Sequence, residues 1–170
     1  MGSEMCIRDR TNGATVTPFE GDGIHVRLAA DETLQLSTAF LPEGSTIAGN
    51  EVGSLTDATL GNAGDGIELF AEDNSFVAGL DIVNNTTDNN GQSGIRVAVN
   101  DSAFVNNVLI ENNVSNSNGS DGVEITASEF AFISAVAPFG IRNNELTNNT
   151  NGISLTTAWL LYTSPSPRDS

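Results

Sequence analysis

The sequence is poor in cysteine, in basic residues and in aromatic residues. It has one cysteine, Cys6, no lysine, six arginines and one histidine, and aromatic residues make up 6% of its 170 residues. A single thiol excludes a disulfide framework and the zinc sites built from cysteine and histidine. Because 22 acidic residues stand against six arginines, the net charge is −16. This charge argues against binding to nucleic acid or to an anionic membrane.

The two ends of the chain differ in origin from its middle. Residues 1–10 contain GSEMCIRDR and residues 160–170 contain LLYTSPSP. A single DNA segment, translated from one strand and then from the other, encodes both strings, and it resembles a transposon adapter used in sequencing libraries. We therefore set both ranges apart as tails that are not native. The remaining segment, residues 11–159, keeps a net charge of −16, and we expect it to come from a gene truncated on both sides.

Three sequence markers recur in a fixed order about every 28 residues. The first is a Gly-Ile or Gly-Val pair followed by a polar and an aliphatic residue, and it begins at Gly23, Gly66, Gly94, Gly122 and Gly152. The second has the form I-x-[GN]-N and begins at Ile47, Ile82, Ile110 and Ile141. The third is a phenylalanine, found at Phe76, Phe104 and Phe132. Three markers that keep one order and nearly one period identify an internal repeat.

The markers alternate apolar and polar residues, which is typical of a short strand with one buried face. Clusters of Asn, Asp, Gly and Ser separate them and predict turns. One turn of three short strands cannot bury its own apolar face, so successive repeats must stack at the strand spacing of about 4.8 Å. The sequence therefore predicts an all-β solenoid of about four to five turns, a fragment without native caps.

Stacking places equivalent residues of successive turns on top of one another. We expect an inward aliphatic column that begins with Ile24 and Ile67, and an inward stack of the marker phenylalanines Phe76, Phe104 and Phe132. One asparagine of each second marker should hydrogen-bond the neighbouring turns through its amide. The asparagine ladder predicted in this way consists of Asn50, Asn85, Asn113 and Asn144.

With these markers spread over residues 21–157, the chain resembles the right-handed parallel β-helix repeat family. That family includes pectate lyases, polygalacturonases, alginate epimerases, phage tailspikes and many large bacterial surface proteins. The resemblance implies a right-handed parallel β-helix. It implies no single function, because one fold carries many activities.

The outward residue of the first marker is the candidate functional position. From turn to turn it is His25, Glu68, Arg96, Glu124 and Ser154. In the polysaccharide-cleaving members of the family, catalysis occurs on the outer face of one sheet. The resemblance would give the two glutamates acid–base or calcium-binding roles, and Arg96 a role in proton abstraction or substrate binding. The interpretation we favour is a structural ladder of alternating charges, with no catalytic residue and no metal ligand, because the polygalacturonase signatures are missing.

Three functions remain open at this point. The first is a structural or adhesive segment of a larger secreted or cell-surface bacterial protein. The second is a fragment of a lyase, hydrolase or epimerase that acts on uronic-acid-containing polysaccharide. The third is carbohydrate binding without catalysis, which ranks last because an interior phenylalanine stack would leave few aromatic rings outside.

Expectations about cofactors, partners and location follow from the same residues. No cofactor is expected, although the acidic turns at Asp65, Asp88 and Asp121 leave calcium as an alternative to simple turn formation. The expected partners are polysaccharide or cell-surface components, with no nucleic acid and no membrane insertion of this segment. We also expect an extracellular location, a surface ion pair between Glu111 and Arg142, and end-to-end association through uncapped ends.

Overall fold

The computed structural model of the chain describes residues 7–8, 15–16, 21–29, 33–34, 46–54, 61–134 and 140–157. All regular secondary structure in these ranges is β and forms short strands, β1 to β19. Within the same ranges no helix has the length and apolarity needed to span a bilayer.

Each of the first four turns of the chain contributes one strand to each of four parallel sheets, which we name S1 to S4, and β19 adds a fifth strand to S1. S1 contains β3 (Ile24–Leu28), β7 (Ile67–Ala71), β11 (Ile95–Val99), β15 (Asp121–Ala127) and β19 (Asn151–Thr157). S2 contains β4 (Thr33–Leu34), β8 (Phe76–Val77), β12 (Phe104–Asn106) and β16 (Phe132–Ser134). S3 contains β5 (Thr46–Ala48), β9 (Leu80–Val83), β13 (Val108–Glu111) and β17 (Gly140–Arg142). S4 contains β6 (Glu51–Gly53), β10 (Thr86–Asp88), β14 (Val114–Asn116) and β18 (Glu145–Thr147).

Equivalent strands of successive turns pair in register. In S1, for example, Ile67, Ile95 and Val123 are direct partners in three consecutive turns. The predicted all-β, right-handed parallel β-helix is confirmed. Two short strands near the start of the chain pair in the antiparallel sense: β1 (Ile7–Arg8), which lies in the tail set apart above, pairs with β5, and β2 (Thr15–Val16) pairs with β3.

The turn has four strands, whereas the sequence markers predicted three. The missed strands are those of S4, whose inward residues are Val52, Thr87, Ser115 and Leu146. Two of these four are small hydroxyl residues, so the S4 strands lack the apolar alternation that marks the other sheets. The Ser115 hydroxyl is buried and satisfied by donating to the carbonyl oxygen of Gly122 at 3.0 Å.

Aliphatic columns fill the interior of the helix. The S1 columns include Ile24, Ile67, Ile95 and Val123, and beside them Val26, Leu69 and Val97, all of which are buried. S2 adds Val77 and Val105, and S3 adds Ile47, Ile82 and Ile110. These residues form one continuous apolar cluster, so burial of each turn depends on its neighbours.

Two asparagine ladders run along the corners of the helix on either side of S4. In the predicted ladder, each asparagine donates its backbone N–H and its side-chain amide to the side-chain oxygen of the next, from Asn50 through Asn85 and Asn113 to Asn144, at 2.9–3.0 Å. A second ladder joins Asn62, Asn90, Asn118 and Asn149 in the same way. Its members are also spaced by 28 to 31 residues, a period that is visible in the sequence although this ladder was not predicted from it.

The residue before each asparagine of the first ladder adopts left-handed backbone. In the first ladder these residues are Gly49, Asn84, Asn112 and Asn143, with φ of 68°, 56°, 56° and 55°. Glycine and asparagine tolerate this conformation best. The second marker therefore has Gly or Asn at its third position because the corner requires positive φ.

The phenylalanine stack faces outward, so its predicted interior position is wrong. Adjacent rings of Phe76, Phe104 and Phe132 do stack, with centroids 5.3 and 5.1 Å apart. Their strands, however, direct Val77 and Val105 into the core, and Phe132 is 45% exposed. Because side chains alternate along a strand, burying the valines places the rings outside.

Candidate functional site

The candidate residues of the first marker form a single column on the outer face of S1. His25 pairs with Glu68, Glu68 with Arg96, Arg96 with Glu124, and Glu124 with Ser154 in the strand register. The parallel, in-register stacking of S1 therefore brings together residues that lie far apart in the sequence.

The first two members of this column are buried although they point away from the core. His25 is 8% exposed and Glu68 is 5% exposed, whereas Arg96 and Glu124 are half-buried. Alternation in the sequence predicts which face of the sheet a side chain occupies. It does not predict whether that face is accessible to solvent.

Ion pairs and hydrogen bonds link the column across four turns. Nδ1 of His25 lies 2.8 Å from Oε2 of Glu68, and Nη1 of Arg96 donates to Oε1 of the same carboxylate at 2.8 Å. Nε of Arg96 lies 3.7 Å from Oε2 of Glu124, which also accepts the Ser93 hydroxyl at 2.8 Å. The column is therefore a connected network rather than a set of separate surface charges.

A second column, which the sequence analysis did not recognise as part of the site, lies beside the first. It is formed by the residues just before each marker glycine, and it begins with Asp22, Asp65 and Ser93. Oδ1 of Asp22 accepts the backbone N–H of Asp65 at 2.6 Å, and Oδ1 of Asp65 accepts the backbone N–H of Ser93 at 2.7 Å. The recurrence of aspartate directly before the glycine of the first marker is the sequence signal that would have identified this second column.

Burial of these carboxylates shifts their protonation equilibria. It raises the pKa of Asp65 to about 7, although Arg96 opposes the rise. It also raises the pKa of Glu68, against the lowering effect of Arg96 and His25. Burial thus favours the protonated, neutral form of both carboxyl groups.

Among the residues that the structure describes, one group has the composition of a metal site. The ligating atoms of Asp22, His25 and Glu68 all lie within 4.8 Å of one another. The aspartates considered for calcium are outside this group: Asp88 is on S4, and Asp65 and Asp121 belong to the second column, where Asp121 accepts the side-chain amide of Asn151 at 2.6 Å.

Comparison with known proteins adds the family to this geometry. The family model for the right-handed β-helix region matches residues 10–158. The chain belongs to this family. Comparisons with curated proteins and with solved structures gave no match. Membership of the right-handed β-helix family establishes the fold and leaves the function to be argued from the sites themselves.

Two further outer surfaces of this right-handed β-helix complete the set of candidates. On S3, Arg142 binds Glu111 through two hydrogen bonds, Nε to Oε1 at 2.8 Å and Nη2 to Oε2 at 3.2 Å, as an exposed pair. On S2, the outward phenylalanine stack includes Phe132, and Phe130, a turn residue two positions earlier in the sequence, is 76% exposed. The ring of Phe104 is covered on its two faces by the rings of Phe76 and Phe132. Phe130 and Phe132 therefore offer the most accessible aromatic surface in the described part of the chain.

Proposed function

We propose that this chain is a structural and adhesive segment of a larger extracellular protein, secreted or displayed on a bacterial surface. One observation carries the structural part: the acid–base groups of S1 are bound to one another instead of facing solvent. His25 and Glu68 are buried, and Glu68 is held by both His25 and Arg96. A polymer substrate needs contact with catalytic groups, whereas a cross-turn network needs none.

The adhesive part rests on the outward aromatic rings. Phe130 and Phe132 expose large apolar surfaces two residues apart in the sequence. The negative faces of aromatic rings attract the weakly positive C–H groups of a sugar ring. Because the chain carries a net charge of −16, it repels uronic-acid polymers. The ligand class we propose is therefore a neutral polysaccharide.

Pull-down with insoluble polysaccharides tests this proposal. The full chain should be retained by a neutral glucan and not by polygalacturonate or alginate gels at low salt, and Phe130→Ala should lower retention several-fold. Phe70→Ala is the matched control, because Phe70 is an outward phenylalanine of S1. Equal retention of both variants, or no retention of the parent chain by any neutral glycan, would contradict the adhesive role.

A second candidate is an enzyme acting on uronic-acid-containing polysaccharide. It is favoured by the pKa of about 7 at Asp65, since a group that titrates near neutral pH suits proton transfer. Arg96 lies 3.8 Å from that carboxylate. Under this candidate the chain would depolymerise or epimerise alginate or polygalacturonate, Arg96→Ala would abolish the activity, and Arg142→Ala would not. Turnover with that pattern would replace the structural proposal.

A further inference from the structure

Two carboxylates and one imidazole converge at the first turn of S1. Oδ2 of Asp22 lies 3.1 Å from Nδ1 of His25, and Oε2 of Glu68 lies 2.8 Å from the same nitrogen. The side chains of His25, Asp22 and Glu68 are 9%, 5% and 6% exposed. Three potential ligand atoms therefore meet in a region from which water is largely excluded.

The surrounding groups hold both carboxylates in this orientation. The second oxygen of Asp22 accepts the backbone N–H of Asp65, and the second oxygen of Glu68 accepts Nη1 of Arg96. Each carboxylate is thus fixed through one oxygen and presents the other to His25. Outer hydrogen bonds of this kind orient the ligands of metal sites.

Hydrogen bonding alone leaves this arrangement incomplete. Nδ1 of His25 carries at most one hydrogen, yet two carboxylate oxygens lie within 3.1 Å of it. The imidazole hydrogen therefore completes only one of the two contacts, and the other would need a proton held by a carboxyl group. A cation placed among the three atoms would satisfy all of them.

We propose that Asp22, His25 and Glu68 bind a divalent transition-metal ion, with zinc the best match. Zinc bonds to imidazole nitrogen and carboxylate oxygen at about 2.0–2.2 Å, which in a tetrahedral site separates ligand atoms by about 3.4 Å. The atoms here lie within 4.8 Å of one another, so small side-chain movements form the site. Calcium fits less well, because it takes six to eight oxygen ligands.

The bound metal would fasten the first turn to the second. His25 is on β3 and Asp22 lies just before that strand, whereas Glu68 is on β7, one turn later. These two turns are separated by 43 residues of chain, the longest interval in the repeat, so they depend most on a cross-link between strands. The metal would therefore act as a structural cross-link. This role is the same whether the β-helix binds polysaccharide or cleaves it.

The single histidine makes the test direct. Zinc is titrated into the full chain carrying Cys6→Ser, a change that removes the only thiol, while side-chain NMR follows the imidazole nitrogens of His25. One equivalent of zinc should shift Nδ1 as a metal ligand and raise Tm, and calcium at the same concentration should do neither. Imidazole signals that stay unchanged in excess zinc would overturn the proposal, as would a calcium effect equal to that of zinc.

Variants separate the site from non-specific binding to an acidic surface. Glu68→Gln and Asp22→Asn should each weaken zinc binding at least about tenfold, because loss of even an outer hydrogen bond to a metal ligand costs about 10–100-fold in affinity. Glu111→Gln removes an acid that also pairs with an arginine, but on S3, and it should leave the affinity unchanged. If Glu68→Gln does not fold, Asp22→Asn and the titration of the parent chain still decide. Equal weakening by Glu111→Gln would reject a defined site.

Discussion

Single residues in this helix are governed by the corner or face that they occupy. Asn112 and Asn113 are neighbours, yet the first is exposed with left-handed backbone and the second is buried and hydrogen-bonded to turns on both sides. The sequence predicts that such a pair forms a corner. The predicted ladder contains the second member, Asn113, and the structure adds that the first member supplies the left-handed backbone of the corner.

Replacing Asn113 by alanine should lower the free energy of unfolding by about 2–4 kcal/mol, because several buried partners would lose their hydrogen bonds. The side-chain amide of Asn113 donates to Ile82 and Asn144, and its oxygen accepts from Asn85. Asn112→Gly should change stability little, since glycine adopts positive φ without strain. Urea unfolding of both variants measures the difference. Similar losses in the two would show that the ladder bonds contribute little.

Asp81 provides a pH-dependent prediction away from the S1 site. Burial raises its pKa above the ordinary value, and the charge of Glu111 adds to the rise. The protonated form is therefore favoured in the folded chain. Its stabilising contribution is complete below the ordinary aspartate pKa and is lost as pH rises through the raised value.

Asp81→Asn should consequently raise Tm at pH 7, and the gain should vanish at about pH 3, below the ordinary aspartate pKa. Asp73→Asn removes the same charge from an exposed turn and serves as the control. Thermal melts of the three proteins at both pH values make the comparison. A gain that persists unchanged at the lower pH would show that ionisation of Asp81 is not its cause, and an equal gain in Asp73→Asn would assign it to net charge.

At the scale of the strand, close packing just before the S1 strands explains the glycines of the first marker. A β-carbon added to Gly94 would lie 2.0 Å from the Ser115 hydroxyl and 2.6 Å from the Thr87 hydroxyl. The S4 strands, which the sequence pattern did not predict, therefore explain the recurrent glycine of the first marker. The repeat could be predicted from the glycines, but S4 could not, since its inward residues Thr87 and Ser115 carry no apolar pattern.

Gly94→Ala should destabilise the helix by about 1–3 kcal/mol, the usual cost of forcing an extra carbon into a packed interior. Gly152→Ala is a matched control at the equivalent position of the last described turn, where the nearest atom would lie 4.0 Å away. Denaturant unfolding of both should show a loss only for Gly94→Ala. Tolerance of alanine at both positions would mean that S1 and S4 can move apart.

At the scale of the whole molecule, the apolar columns continue to the last described strand. Ile153 and Leu155 of β19 are 49% and 67% exposed, although their equivalents in β15 and β11 belong to the core or pack against it. The residues of the outer S1 column, in contrast, were predicted, but their burial was not. The burial of an outer face depends on which other parts of the chain pack against it, and this is decided by tertiary structure. Family and fold were readable from the repeat, and the Asp22–His25–Glu68 convergence was not.

The exposed face of β19 should mediate self-association of this chain. Sedimentation velocity should show oligomers that increase with salt, because screening weakens the repulsion between copies with a net charge of −16. Leu155→Lys should abolish them. Thr156→Lys adds the same charge at the next residue, which points to the other face of β19, and should leave them largely intact. A monomer at every salt concentration would refute this prediction.

The unequal length of the turns bears on how such a gene can change. Equivalent residues are 43 positions apart between the first two turns and 28 between the next two, yet Ile24, Ile67 and Ile95 remain in register. The register of the described strands thus tolerates turns of different length, and an in-frame duplication of one whole turn would repeat every contact of its neighbour. Such a duplication lengthens the protein by one strand spacing, about 4.8 Å. The length of the β-helix can therefore vary between related genes while the packing of its core stays the same.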